Sequence, residues 1–515
     1  MNVSEFLDLT VEIVPDRSAT VFEGRRRTFE ELHDHVNRLA NTLASLGVTQ
    51  GDRVAILDVN TDDYIAVFFA SAKLDAIFVP LNFRAKADEI AFMLNDSEAK
   101  VLLVGPVYDD LVASLQPVLT TVRHVMSLGG SIGRWSSLLE QLPSASAERF
   151  TPVADDSDIA ILLFTAGTTG TPKGVMLPHE TFSSFLLTNV EPANPDIEER
   201  TVLSVPLYHV AGIQAMMASV YSGRTLVIQR QFEPAQWLEL VERERVTRAT
   251  LVPTMLKMLL EHPDFVRRDL GSLETITYGA APMTLEVIKR AITALPGVRF
   301  INAFGQTETG ATIAMLPPED HDLSGAPDEV EKKLRRLSSI GKPLPDVEVS
   351  IVDETGLFVP TGEIGEIVAR GSRVMKGYWK QEEATIQTMH GGWLYTGDLG
   401  YTDEDGYIYL SGRARDFIKR GGEMISPGEV EQVLHAHPAV EEAAVIGAPD
   451  AHWGECVMAV VVLKPHVIIT ESDITEHCRQ KLASFKKPET VRFVDSLPRN
   501  ALGKVLKRTL REQFT

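Results

Sequence analysis

Residues 164–174 read FTAGTTGTPKG and continue the apolar run IAILLF. A plain turn out of a buried strand needs far fewer special residues than three glycines, four threonines and a lysine. Gly167 and Gly170 let the backbone come close to a ligand and turn its amides toward it. Thr165, Thr168 and Thr169 offer hydroxyl donors, and Lys173 adds a compact positive charge. Together they suit a nucleotide polyphosphate. The loop is not a Walker A loop, because no Gly-x4-Gly-Lys-Ser/Thr pattern can be read through Lys173. The bland alternative is a solvated turn, and the loop alone does not displace it.

Four further segments follow in order: NAFGQTE (302–308), YTGD (395–398), GRARDFIKRGGEMISPGEVE (412–431) and PRNALGKVLK (498–507). With FTAGTTGTPKG they resemble the signature set of the acyl-adenylate-forming superfamily, whose members include acyl-CoA synthetases, peptide-synthetase adenylation domains and luciferases. One such motif is weak. Five in order, spread over essentially the whole chain, are specific.

The resemblance implies ATP and Mg2+ as cofactors, coenzyme A as co-substrate and a role for each matched position. Phe304 is expected to stack on adenine, with Asn302, Ala303, Gly305 and Thr307 around it and Tyr278, Gly279, Ala280 and Ala281 of YGAAP walling the base. Glu308 is the expected carboxylate for Mg2+, an ion that takes few protein oxygens beside phosphates and waters. Asp398 is suited to accept hydrogen bonds from both ribose hydroxyls, with Arg413 in support. In the first loop Ala166 replaces the commoner serine, so one hydroxyl donor is lost. Singly, each has an ordinary reading: a Phe before a Gly is usually core, an Asp after a Gly usually a turn residue, a lone Glu usually solvated.

Two lysines carry the expected mechanism. Lys504 matches the family lysine that reaches the acyl carboxylate and the α-phosphate, where a point charge stabilises the charge developing as pyrophosphate leaves. Lys419 belongs to the arrangement implied for thioester formation, in which Gly422 leaves room for the pantetheine arm. The C-terminal domain is expected to turn about Arg415, where the family usually has Asp or Lys. His209 in SVPLYHVAGI matches a histidine beside the acyl pocket and the pantetheine exit, and a satisfied core histidine is its ordinary alternative. His435 and His437 form no metal-ligand spacing.

The segment PLYHVAGI has no Asp for a substrate ammonium, and an unpaired buried ammonium is expensive. Val210, Ala211 and Gly212 are small and no Trp shortens the pocket, so Val210, Gly212, Tyr278 and Gly279 are expected to line room for a medium-length apolar acid or an aromatic one. The chain ends at Thr515, eleven residues after Lys504, so no carrier domain is expected and a free thiol is the expected acceptor. The expected reaction is that of an AMP-forming acyl-CoA synthetase. The rivals are a stand-alone adenylating enzyme serving a carrier protein or an amine, and a non-catalytic binding protein on the same fold.

These positions need a scaffold, and 515 residues are too many for one ordinary core. TFEELHDHVNRLANTLASLG reads as a helix with Thr28 as N-cap, Glu31 closing a capping box, a stripe of Leu32, Val36, Leu39, Leu43 and Leu46, and Gly47 ending it. Buried-strand candidates DRVAILDV, AIFVPLN, KVLLVG, RTLVIQ, RATLVP and RFINAFG alternate with helical segments, which predicts an α/β fold with largely parallel sheets. From about residue 350 short strands and Gly turns indicate a β-rich subdomain. After SGRARD, a Ser426–Glu429 capping box and a Thr470/Asp473 box introduce a small, mobile α+β domain. The expected division is 1–412, a hinge at 413–415, and 416–515.

Composition narrows the partners. A net charge of −21 argues against nucleic acid, which needs a surplus of Lys and Arg. Two cysteines without CxxC spacing suit a reducing compartment. The first residues lack a signal-peptide pattern, REQFT is not a peroxisomal address, and no apolar stretch is long enough to span a membrane. The expectation is a cytoplasmic enzyme with small-molecule partners and a homodimer as an option.

Overall fold

The computed structural model describes residues 1–130, 134–165, 172–413, 416–420, 423–450, 453–499 and 505–514. The chain divides into two compact units. The larger holds Met1–Leu337, Gly341–Val349 and Ala369–Leu394, and the smaller holds Ser338–Ile340, Ser350–Val368 and Tyr395–Thr515.

Two mixed sheets build the larger unit. In the first, Ile159–Thr165, Ile77–Pro80, Arg53–Leu57, Val101–Val104 and His124–Ser127 lie side by side and parallel. Lys173–Pro178 and Gly377–Tyr378 extend that sheet antiparallel beyond Ile159–Thr165. In the second, the strands from Arg299–Gln306 through Thr275–Gly279, Arg248–Leu251, Arg200–Leu203 and Thr225–Ile228 to Ser18–Phe22 are parallel. Ala311–Leu316 then pairs antiparallel with Arg299–Gln306. Strands buried on both faces read as continuous apolar runs, which is why the sequence marked them. The helix Phe29–Ser45 forms as expected, with both bonds of the Thr28/Glu31 capping box in place, and Leu32, Val36, Leu39 and Leu43 fully buried.

The smaller unit contains residues 365–368 of one strand beside residues 395–402 of another, which pair with Ile408–Arg413. Further along, the hairpin Val440–Asp450/Gly454–Leu463 and the strand Thr490–Phe493, parallel to its second arm, carry the helices Pro427–His435 and Glu471–Lys481. Alternation splits the hairpin's side chains between two cores. Val445, Val457 and Val461 meet Val430 and Ile474, while Ile446, Met458 and Val460 meet Leu510. Both cysteines are free and buried. The Thr470/Asp473 box forms. The one at Ser426 does not: Pro427 is the first helical residue as expected, but the Ser426 hydroxyl donates to the Ser411 carbonyl and caps nothing. A serine with a nearer buried acceptor gives up the helix terminus.

Among the described residues, no helix is long and apolar enough to cross a membrane.

Candidate active site

The strand Ile159–Thr165 leaves the buried part of its sheet and returns as Lys173–Pro178, with Thr165 in register with Lys173. The expected phosphate-loop residues Ala166, Gly167, Thr168, Thr169 and Gly170 lie outside the described residues, between those two paired positions. Lys173 Nζ stands 4.7 Å from the centroid of the Tyr378 ring, a cation–π distance.

The strand Arg299–Gln306 presents Asn302, Ala303, Phe304 and Gly305 half-buried, with Phe304 packed on the main core and its remaining surface open. It ends in a tight turn, Thr307–Thr309, that aims Glu308 outward. Thr309 is fully buried and ties the turn down: its hydroxyl accepts from Gln306 N at 3.0 Å and lies 2.9 Å from the Ala311 carbonyl. Gly310 (φ +58°) and Ala311 (φ +81°) then reverse the chain in a backbone region that L side chains disfavour.

The residues 373–379 fasten this turn to the lysine hairpin. Met375 N donates to the Glu308 carbonyl at 2.8 Å, and the Tyr378 hydroxyl donates to Glu308 Oε1 at 3.0 Å. Arg373, fully buried, donates to Asp346 and to the Gly310 carbonyl, with its guanidinium 4.7 Å from the Phe185 ring centroid. On the other side, Trp379 N donates to the Gly174 carbonyl and Tyr378 pairs with Val175. Tyr378 thus touches both the expected phosphate lysine and the expected metal carboxylate. Sequence reasoning passed it over, because a Gly-Tyr-Trp run carries no charge and no motif pattern. A carboxylate whose first oxygen is held by a phenol, with a lysine over the ring of that phenol, fits one protein ligand for a hard cation beside phosphates.

Close backbone approach decides two glycines. A Cβ on Gly305 would lie 1.5 Å from the Ala311 carbonyl oxygen, and one on Gly279 would lie 2.0 Å from that of Ala303. Ala280, next to Gly279, takes φ +65° and is exposed, while Gly279 and Ala281 are half-buried. Tyr278 departs from expectation. Its side chain is fully buried and its hydroxyl lies 2.9 Å from His321 Nε2, so the ring faces core. Strand alternation places Gly279 and Tyr278 on opposite faces, and an aromatic ring gains more by burial.

His209 is the N-cap of the helix Val210–Tyr221, and its Nδ1 accepts from Ala211 N at 3.3 Å. Some of its surface is reachable by solvent, yet the ring sits deep in protein and burial pushes its pKa down to about 4. The unfolded chain therefore binds a proton that the folded chain refuses between pH 6.5 and about 4. Stability is full above that window and falls as pH drops through it. His209→Asn keeps a capping acceptor without a titrating ring. It should recover up to roughly 3 kcal/mol of that acid loss. Urea unfolding at neutral and acid pH measures this, and equal acid sensitivity of the two proteins would refute it.

Val210 is buried, and Gly212 is constrained differently from expectation. A Cβ at Gly212 would lie 2.3 Å from the Pro206 carbonyl oxygen, so the direction expected to be open pocket is filled by backbone. A bulky residue there would disrupt packing before it shortened any pocket.

In the smaller unit, Asp398 on Trp393–Thr402 lies in register with Arg413 on Ile408–Arg413, and Arg413 Nε is 2.6 Å from Asp398 Oδ1. Asp398 is 7% exposed, and Arg413 places a positive charge against its buried carboxylate. The Arg413 guanidinium also donates to the Thr396 carbonyl. The sequence brought these two together only by motif, and the antiparallel pairing makes them neighbours. Lys419 lies on Ile418–Arg420 with an exposed side chain, while its N–H donates to Glu455. Arg415, Gly422 and Lys504 lie outside the described residues. Asp450, Cys456 and Glu489 bring three donor atoms within 4.8 Å, but Glu489 is paired with Arg420 and burial raises the Cys456 thiol, which suits structure better than metal.

Known proteins share both the sequence and the fold. The AMP-binding enzyme family matches residues 7–379, and the AMP-binding enzyme C-terminal domain matches residues 429–504. The chain is 34% identical over 97% of its length to the fatty acid–[acyl-carrier-protein] ligase ScoC of Streptomyces coeruleorubidus, covering 94% of that protein. It is 34% identical over 97% of its length to a feruloyl-CoA synthase of Amycolatopsis, covering 96% of it. The solved structure of the amide bond synthetase McbA from Marinactinospora thermotolerans superposes with a TM-score of 0.89 at 32% identity, with full coverage of both chains. With Phe304, Glu308 and Lys173 set in one unit and Asp398 and Arg413 paired in the other, the chain belongs to the AMP-binding enzyme family, within the acyl-adenylate-forming superfamily.

Proposed function

We propose that the chain is an AMP-forming acyl-CoA synthetase of the cytoplasm that activates a medium-chain or aryl carboxylic acid. A carboxylate oxygen attacks the α-phosphorus of ATP, the α–β P–O bond breaks, and pyrophosphate leaves acyl-AMP. The thiol sulfur of coenzyme A then attacks the acyl carbon, its proton passes to solvent, and AMP leaves. The observation that carries the reading is Tyr378, which holds Glu308 and Lys173 in fixed relation beside the Phe304 strand. A cation and a carboxylate held by one ring on a rigid frame suit a triphosphate with its metal ion. Glu308 would hold Mg2+, which when bound supplies charge neutralisation to the phosphates. Phe304 takes the adenine face, and Asp398, oriented by Arg413, takes the ribose hydroxyls. The residues 416–515 act as a lid turning about Arg415.

The acceptor has a second reading with its own support, since the relatives named above are an acyl-carrier-protein ligase, a CoA synthase and an amide bond synthetase. AMP release from ATP across a panel of carboxylates, with and without coenzyme A, separates them. Release that needs coenzyme A supports the synthetase, release without it supports transfer to another acceptor, and binding without release leaves a non-catalytic protein. Within the enzyme, Asp398→Ala should mainly raise KM for ATP, because ribose contacts persist from ground state to transition state. Glu308→Gln should mainly lower kcat. Unchanged ATP kinetics in both variants would remove these two residues from the site.

A further inference from the structure

One buried polar group in the larger unit has no role in the reading above. Gln214, on the helix Val210–Tyr221 that His209 caps, is 9% exposed. Its Oε1 accepts from the Thr312 hydroxyl at 2.8 Å, while its Nε2 is buried without a partner. An unpaired buried amide donor is costly, and such a group persists where a ligand completes it. Its position indicates which ligand. Thr312 is the cross-strand partner of Gly305, so the amide lies next to the segment carrying Phe304 and Glu308. The open side of the helix runs through the half-buried Ala211, Ala215 and Ala218, and Gln214 shares that side by helical periodicity. A wall of alanine methyls accepts an apolar body, and one N–H at its edge asks for an acceptor.

We infer that Gln214 is a specificity-determining residue whose amide N–H donates to an oxygen on the acyl part of the acid. The preferred substrates are then aryl acids bearing an ether, carbonyl or phenolic oxygen rather than plain hydrocarbon acids. This rests on the adenylation reading and adds a substrate class to it.

The test uses the full chain with ATP and coenzyme A, and matched acids in benzoate, phenylacetate and cinnamate series that differ only by a methoxy or an ethyl substituent. The ratio of kcat/KM for the two members is the readout, because a merely structural role would lower both equally. The wild type should favour the methoxy acid by roughly tenfold to a hundredfold in at least one series. Gln214→Met, of similar length and without donors, should bring that ratio to about one while the ethyl acid is retained. Thr312→Val removes the hydroxyl that fixes the amide and should lower the same ratio part of the way, which keeps the test intact if Gln214→Met does not fold. AMP release that is equal for both members in every series, or a ratio unmoved by either variant, overturns the Gln214 assignment alone. Absence of AMP with every acid, plain fatty acids included, overturns the adenylation reading beneath it.

Discussion

Lys504→Ala should slow acyl-adenylate formation by roughly a hundredfold or more, the scale of losing one charge-stabilising group in a closed site. The same variant should still turn pre-made acyl-AMP and coenzyme A into thioester. Lys419→Ala should behave in reverse, forming acyl-AMP at near the wild-type rate and transferring it slowly. The reason is chemical. Negative charge builds on the phosphoryl oxygens and departing pyrophosphate in the first half-reaction and on the acyl oxygen and departing AMP in the second, so one lysine need not serve both. Lys504 lies outside the described residues, and its assignment rests on the PRNALGK motif; Lys419 has an exposed side chain on Ile418–Arg420. Measuring the two half-reactions separately decides the matter. If each variant loses both steps in equal measure, the lysines share one role and turning about Arg415 has no part in the reaction.

Gly305→Ala should damage the larger unit severely. Its Cβ would fall 1.5 Å from the Ala311 carbonyl oxygen, an atom of the backbone that no rotamer can move aside. Strand Ala311–Leu316 would have to shift, and with it the Gly310–Ala311 reversal that aims Glu308. Overpacking of this kind costs about 3 kcal/mol or more when backbone must yield. We therefore expect a lower urea midpoint together with a loss of adenylation of roughly a hundredfold, since a misplacement of about 1 Å at a positioning group has that scale. Lys419→Ala, with its exposed side chain, is the control for stability. A Gly305→Ala protein with wild-type midpoint and rate would show that the strands separate freely there.

The sequence by itself determined the layered α/β plan, the helix Phe29–Ser45 with its caps, and, through five ordered motifs, the family. The first two rest on local physics, since apolar runs mark strands buried on both faces and a 3.6-residue stripe marks a helix; the family rests on motif order along the chain. The tertiary structure alone decided which side chains meet. Tyr378 is about two hundred residues from Lys173 and seventy from Glu308 in the chain, yet it touches both because Gly377–Tyr378 adds as a short edge strand to Lys173–Pro178. Tyr278 turned to His321, Ser426 turned to Ser411, and Gly212 met the Pro206 carbonyl, each against its local reading. Residue type records what a group can do, and a neighbour from a distant strand settles what it does, because burial rewards whichever partner the packing brings within reach. Gln214 is the same lesson in reverse: its sequence neighbours make it an ordinary polar residue on an apolar helix, and only packing against Thr312 leaves its amide waiting for an oxygen.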